Sequence, residues 1–182
     1  MKPYVICHMM SSVDGRILPD QWHPHVEERG VYERLHNELG GDAWLVGRVT
    51  GQEFASREAP YPSYTGAPFS RENWFAVNTA DAWAVVLDAH GKIAWGRGDV
   101  GGDPLLVVLT QAASDSHLAG LREDGVSFIF AGEQEIDLAA ARPMAPCSRP
   151  GWSMSLAWLL RRVWRACRVG RPSLISTVSR AR

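Results

Sequence analysis

At 182 residues and 46% hydrophobic, the chain is long enough to bury one proper core and short for two large domains. Its formal net charge of -1 averages two unlike parts: residues 1–141 hold all 20 acids and 10 of the 19 bases, and residues 142–182 hold 9 arginines and no acid. Three cysteines (Cys7, Cys147, Cys167) without a CxxC pair, and no histidine cluster at zinc-ligand spacing, exclude a disulfide framework and a structural metal.

A reduced, cytoplasmic setting is therefore expected. The N-terminus runs from Tyr4-Val5-Ile6 into a polar turn with no signal-peptide apolar core. No stretch reaches the roughly 20 apolar residues of a membrane span.

In chain order, Tyr4 to Met10 is a short apolar run ended by Ser11-Ser12, which predicts a buried strand. Val26, Val31, Leu35 and Leu39 fall near helical spacing, with Gly40-Gly41 as a stop, so an amphipathic helix weakened by Gly30 follows. Ala43 to Val46 is a second strand, and Gly47-Arg48-Val49-Thr50 turns out of it into a short helix. Three prolines between Phe54 and Asn73 mark a surface excursion. Trp83 to Leu87 and Leu105 to Leu109 are further strands, Ser114 to Asp124 is a helix stopped by Gly125, and Val126 to Phe130 is a fifth strand. Strands alternating with helices predict an α/β fold with a mostly parallel sheet and helices on both faces.

Two turns stand out chemically. Gly47 would let a phosphate approach the backbone, and Thr50 could cap the helix while donating its hydroxyl. Asp14-Gly15 is a tight-turn dipeptide just past the first strand.

Three ordered segments carry a family resemblance. Ser12-Val13-Asp14-Gly15-Arg16-Ile17 resembles the S-x-D-G-[KR]-I signature of the reductase family of riboflavin biosynthesis, of the dihydrofolate-reductase-like class. Asp42 to Thr50 is similar to its D-A-x-L-V-G-x-x-T segment, and Val85 to Asp88 with Gly91-Lys92-Ile93 to its V-V-L-D strand and turn. The match covers residues 3–141, so the resemblance implies a reductase domain over 1–141 that is C-terminally incomplete.

It further implies hydride transfer from NADPH to a small heterocycle, an opened sugar or a phosphoribosylamino-uracil-like pyrimidine. Cofactor contacts would come from Ser11, Gly47, Arg48, Thr50, Asp88 and Ala89. Asp14 would orient substrate or relay a proton, since hydride addition needs a proton partner. Trp22, beside His23, would offer a flat face for stacking. A homodimer is implied, a small-molecule substrate is the expected partner, and no nucleic acid is expected. Where precursor-reducing members continue D-[DN]-P-x-L-T-x-R, this chain has Gly51-Gln52-Glu53-Phe54-Ala55-Ser56-Arg57, so it resembles stand-alone paralogues more closely.

Residues 142–182 lack the family's E-G-G-G phosphate loop and its L-[IV]-D-E-L segment. Synonymous codons for Pro143 to Leu156 exist whose neighbouring frame reads N-G-A-M-L-A-A-G-L-V-D-E-L, so a reading-frame change near Ala141 is expected, putting the tail outside the native fold. The other reading makes Leu156 to Cys167 a basic amphipathic helix, and the chain a non-catalytic remnant or an anion-binding module. The nucleotide sequence beyond Ala141 distinguishes them.

Overall fold

The computed structural model describes residues 4–18, 21–22, 30–77, 80–137 and 176–180. The expected first half of the helix around Val26, His23 beside Trp22, and the amphipathic helix at Leu156 to Cys167 lie outside the described residues.

The elements in order are β1 (Tyr4–His8), α1 (Val31–Leu39), β2 (Ala43–Gly47), α2 (Arg48–Gln52), β3 (Trp83–Leu87), β4 (Asp99–Val100), β5 (Asp103–Leu109), α3 (Asp115–Glu123), β6 (Ser127–Phe130) and β7 (Ser176–Arg180). Strands β2, β3, β5 and β6 form a parallel sheet in that spatial order, and β4 adds a short antiparallel hairpin to the start of β5. This is an α/β fold with a mostly parallel sheet, as the alternation of elements predicts.

Register explains why each strand is a continuous apolar run. Val46, Val86, Val107 and Phe128 are aligned across the sheet and point to one face, while Leu45, Val85 and Leu106 point to the other. Because both faces are covered, neither set of alternate positions can be polar. Ser127 is the exception, buried at the register of Leu106, and its hydroxyl accepts from the Ala76 amide at 3.1 Å.

The face of Val86 and Phe128 carries α2, α3 and the inserted residues Ile93 and Trp95. Leu118 and Leu121 of α3 are fully buried in it. α2 lies so close that a Cβ on Gly51 would meet Val86 Cγ1 at 2.6 Å and Ile93 Cδ1 at 3.2 Å. On the other face, the described residues that pack on the strands are Phe75, Ala80, Leu87 and Ile136.

Three expectations need correction. First, Gly30 does not weaken a helix interior: it stands at the N-cap of α1 with φ +95°, where its amide donates to Glu33 Oε2 at 3.1 Å. Only glycine takes that backbone region without strain.

Second, β1 is not a buried strand of the parallel sheet. It pairs antiparallel with β7, Tyr4 opposite Arg180 and His8 opposite Ser176, and Cys7 is exposed. A short apolar run satisfies an edge ladder as well as a central one, so composition alone did not separate them. β7 also lies alongside β2.

Third, the proline-rich excursion is not simply surface. Tyr61, Phe69 and Trp74 pack on the helical face, and Trp74 forms an antiparallel bridge to Phe128 that covers the outer edge of β6. Asn73 Oδ1 extends that cover by accepting from the Phe130 amide at 2.9 Å. Replacing Asn73 with alanine is expected to cost about 1–2 kcal/mol, read by urea unfolding, because a buried strand amide loses its acceptor.

Candidate functional site

All four parallel strands point their carboxyl ends toward one edge, which is where open α/β sheets take ligands. Gly47 is opposite Leu87 in the register, so the next residues, Arg48 and Asp88, leave the sheet from adjoining strands. Two of the three sequence segments therefore converge on one corner.

Gly47 caps α2 in extended backbone and is exposed, and a Cβ there would meet nothing within 4 Å. Packing does not demand glycine at this position; its bareness leaves the backbone approachable from solvent. Arg48 is exposed beside it. Thr50 is buried in α2, on the side that packs against the sheet, so it serves to seat the helix.

Asp88 is almost wholly buried at the end of β3. Its Oδ2 accepts from the Lys92 and Ile93 amides at 2.7 and 2.9 Å, closing the turn that the V-V-L-D match predicted. The Ala89 carbonyl accepts from the Thr110 amide at 2.8 Å and from its hydroxyl at 2.7 Å, which ties this turn to the end of β5. Both of these predicted cofactor residues thus sit on the carboxyl edge with their backbone fixed.

The Ser11 to Ile17 segment is a separate, self-closed loop. The Ser12 amide donates to the Arg16 carbonyl at 2.8 Å, the Ser12 hydroxyl donates to Asp14, and Arg16 Nε donates to Asp14 Oδ2 at 2.8 Å. Trp22 docks on the same loop through Nε1, which donates to the Arg16 carbonyl at 3.0 Å. The Ser12 hydroxyl, then the Arg16 guanidinium, hold the Asp14 carboxyl below the usual carboxylate range. Asp14 is accordingly an ionised acceptor near neutral pH and cannot serve there as a proton donor.

Ser11 is exposed at the start of this loop. Among the described residues, no hydrogen bond or ion pair joins the loop to the Gly47 or Asp88 turns. The structure brings Gly47, Arg48, Thr50, Asp88 and Ala89 to one edge, while Ser11, Asp14 and Trp22 belong to or dock on the self-closed loop after β1.

A polar cluster missed in the sequence lies behind the Asp88 turn. His117, in the first turn of α3, is buried against that turn and meets the Tyr61 ring edge-on at 5.2 Å. Tyr61 donates its hydroxyl to Asp124 Oδ2 at 2.6 Å and accepts from the Trp95 amide at 2.9 Å. Burial, then the Asp124 carboxylate, push the Tyr61 phenol well above its ordinary range. Burial pushes the His117 imidazole down to about 4, opposed by the nearby Asp88 carboxylate. Nothing local announces these partners, which lie on separate elements.

Among the described residues, no three His, Cys, Asp or Glu side chains group as metal ligands, and no helix is long and apolar enough to cross a membrane. Comparison with family models, with curated proteins and with solved structures finds no match.

Proposed function

We propose that the chain is a nicotinamide-dependent reductase of the dihydrofolate-reductase-like class, related to the reductases of riboflavin biosynthesis. The observation that carries this reading is the register of β2 on β3, which sets Gly47 opposite Leu87, so that Arg48 and Asp88 leave the sheet from adjoining strand ends. Two motif segments that resemble the family in sequence order thereby become neighbours in space.

The corner fits a phosphate group: an unshielded glycine backbone at Gly47 and a guanidinium at Arg48 offer N–H donors to an anion. Asp88 and Ala89 would line the adenosine side. NADPH, when bound, supplies the hydride. The acceptor would be a C=N or C=O carbon of a small heterocycle or opened sugar, oriented by the Ser11 to Gly15 loop and stacked on Trp22. Asp14, ionised through Ser12 and Arg16, would accept a hydrogen bond from substrate and fix its orientation, and the proton that completes reduction would come from solvent. Rate enhancement in this scheme comes from proximity and orientation of the two bound reactants, with no covalent intermediate on the chain.

Calorimetric titration with NADPH at pH 7.5 tests this. Because the chain lacks the family's second phosphate loop, weak binding is expected, weakened further by about tenfold to a hundredfold in Arg48→Ala, as for loss of a charge-assisted hydrogen bond. Micromolar binding would support the reductase directly. Gly47→Val is expected to weaken binding comparably without lowering the melting temperature, because its side chain projects into open space. Salt-sensitive binding to heparin with no NADPH binding would instead favour the anion-binding reading.

A further inference from the structure

We propose that Asp88 and His117 form a proton-sensitive latch that holds the first turn of α3 against the turn after β3, so that mild acid exposes the Asp88 carboxylate at the carboxyl edge. The inference stands whether or not that edge takes a dinucleotide.

The seat of His117 is built by shape. Gly91 has φ +63°, and a Cβ there would fall into the imidazole, with Nε2 only 2.9 Å away. The ring therefore lies directly on the Asp88–Gly91 turn. Asp88 is 1% and His117 5% exposed, yet Asp88 Oδ1 and His117 Nε2 each have no hydrogen-bond partner among the described residues. Two elements are thus pressed together across polar atoms whose comfort depends on the charge of the imidazole.

The groups around the ring decide which charge that is. From the excursion comes the Tyr61 ring, whose hydroxyl is committed to Asp124 and the Trp95 amide. From the β3 turn come Asp88, whose Oδ2 is engaged by two amides, and the exposed His90 and Lys92. On α3 itself, Asp115 is paired with Arg71 at 2.6 Å. Asp88 is the counter-charge at hand for an imidazolium, and its attraction is outweighed by burial. His117 accordingly stays neutral in its seat, and taking up one proton favours its departure into water.

The sign follows. A histidine titrating near 6.5 when free and near 4 in place makes the seated form lose ground as pH falls from about 6.5 toward 4, and leaves it unaffected above. Ala89 stays tethered to Thr110, so opening is confined to the Asp88–Ile93 turn and the start of α3.

Amide hydrogen exchange on the full chain, expressed as protection factors, tests this. Between pH 7.5 and 5, protection of the Lys92 and Ile93 amides is expected to fall severalfold, while Leu106 and Val107 keep theirs. His117→Gln, neutral throughout, should abolish the pH dependence. Gly91→Ala, which displaces the ring without changing charge, should give low protection already at pH 7.5. The latch is refuted if His117→Gln loses protection in parallel with the parent chain, or if the strand amides exchange in step with the turn.

Discussion

Replacing Gly120 with alanine is expected to destabilise the chain by about 2 kcal/mol, although alanine is the better helix former by about 1 kcal/mol. Gly120 is buried in α3 beneath the Tyr61 ring, and the added methyl would overlap Cδ1, Cγ and Cε1 of that ring. Tyr61 cannot give way freely, because its hydroxyl joins Asp124 to the Trp95 amide. Moving the ring leaves those groups without their partner, at about 1–3 kcal/mol for a buried polar group, which exceeds the propensity gain. The decisive measurement is a double-mutant cycle in urea. In a Tyr61→Ala background the clash has no target, and Gly120→Ala should become neutral or stabilising by about 1 kcal/mol. If alanine at Gly120 stabilises the parent chain as well, the ring is not held where the hydrogen bonds put it.

The strands of the parallel sheet were legible because each is buried on both faces and shows as an unbroken apolar run. Ala43–Gly47 and Trp83–Leu87 are found within a residue of expectation, and β5 begins two residues earlier, at Asp103, where β4 folds back on it. Helix α3 was equally plain: Ser114 caps it, its Oγ accepting from the His117 amide at 3.2 Å, and Gly125 follows its end. β1 was misjudged because its partner lies more than 160 residues away in sequence, and local pattern carries no record of such pairing. The excursion at Phe54 to Asn73 was misjudged for the opposite reason. Its prolines do lie outside any helix or strand, but the widely spaced Tyr61, Phe69 and Trp74 have no period that would announce a packed face.

The candidate site divides along the same line. Gly47, Arg48, Asp88 and Ala89 follow strand ends, and parallel register gathers strand ends automatically, so identifying the strands was enough to gather those residues. Ser11, Asp14 and Trp22 depend instead on where β1 sits, which was the least legible strand. His117 escaped notice because a histidine in the first turn of a helix has an ordinary solvated reading. Only the close approach of Gly91 reveals that this one is covered. Asp88 was singled out as a ligand residue, but the hydrogen bonds to Lys92 and Ile93 give its Oδ2 a structural task that the motif did not disclose.

The largest single loss should come from Phe128→Ala, at about 4 kcal/mol, the range for truncating a fully buried aromatic side chain. Phe128 lies in the middle of β6 with no exposed surface, its ring 5.8 Å from that of Trp74 and 5.7 Å from that of Phe130. Its amide and carbonyl exchange hydrogen bonds with Trp74, both at 2.9 Å, so the same residue anchors the segment that covers the sheet edge. The Arg122 guanidinium lies over this cluster, 4.9 Å from the Phe69 ring and 5.3 Å from that of Trp74. Its stem can shield the rings while its charge stays wet, which makes Arg122→Ala worth about 1 kcal/mol. Against a total stability of about 5–15 kcal/mol for a domain, the first change should lower the melting temperature by about 10–15 °C and the second by a few degrees. Equal shifts would mean that the aromatic cluster is solvated, and the β6 edge would then lack the cover that Trp74 and Asn73 provide.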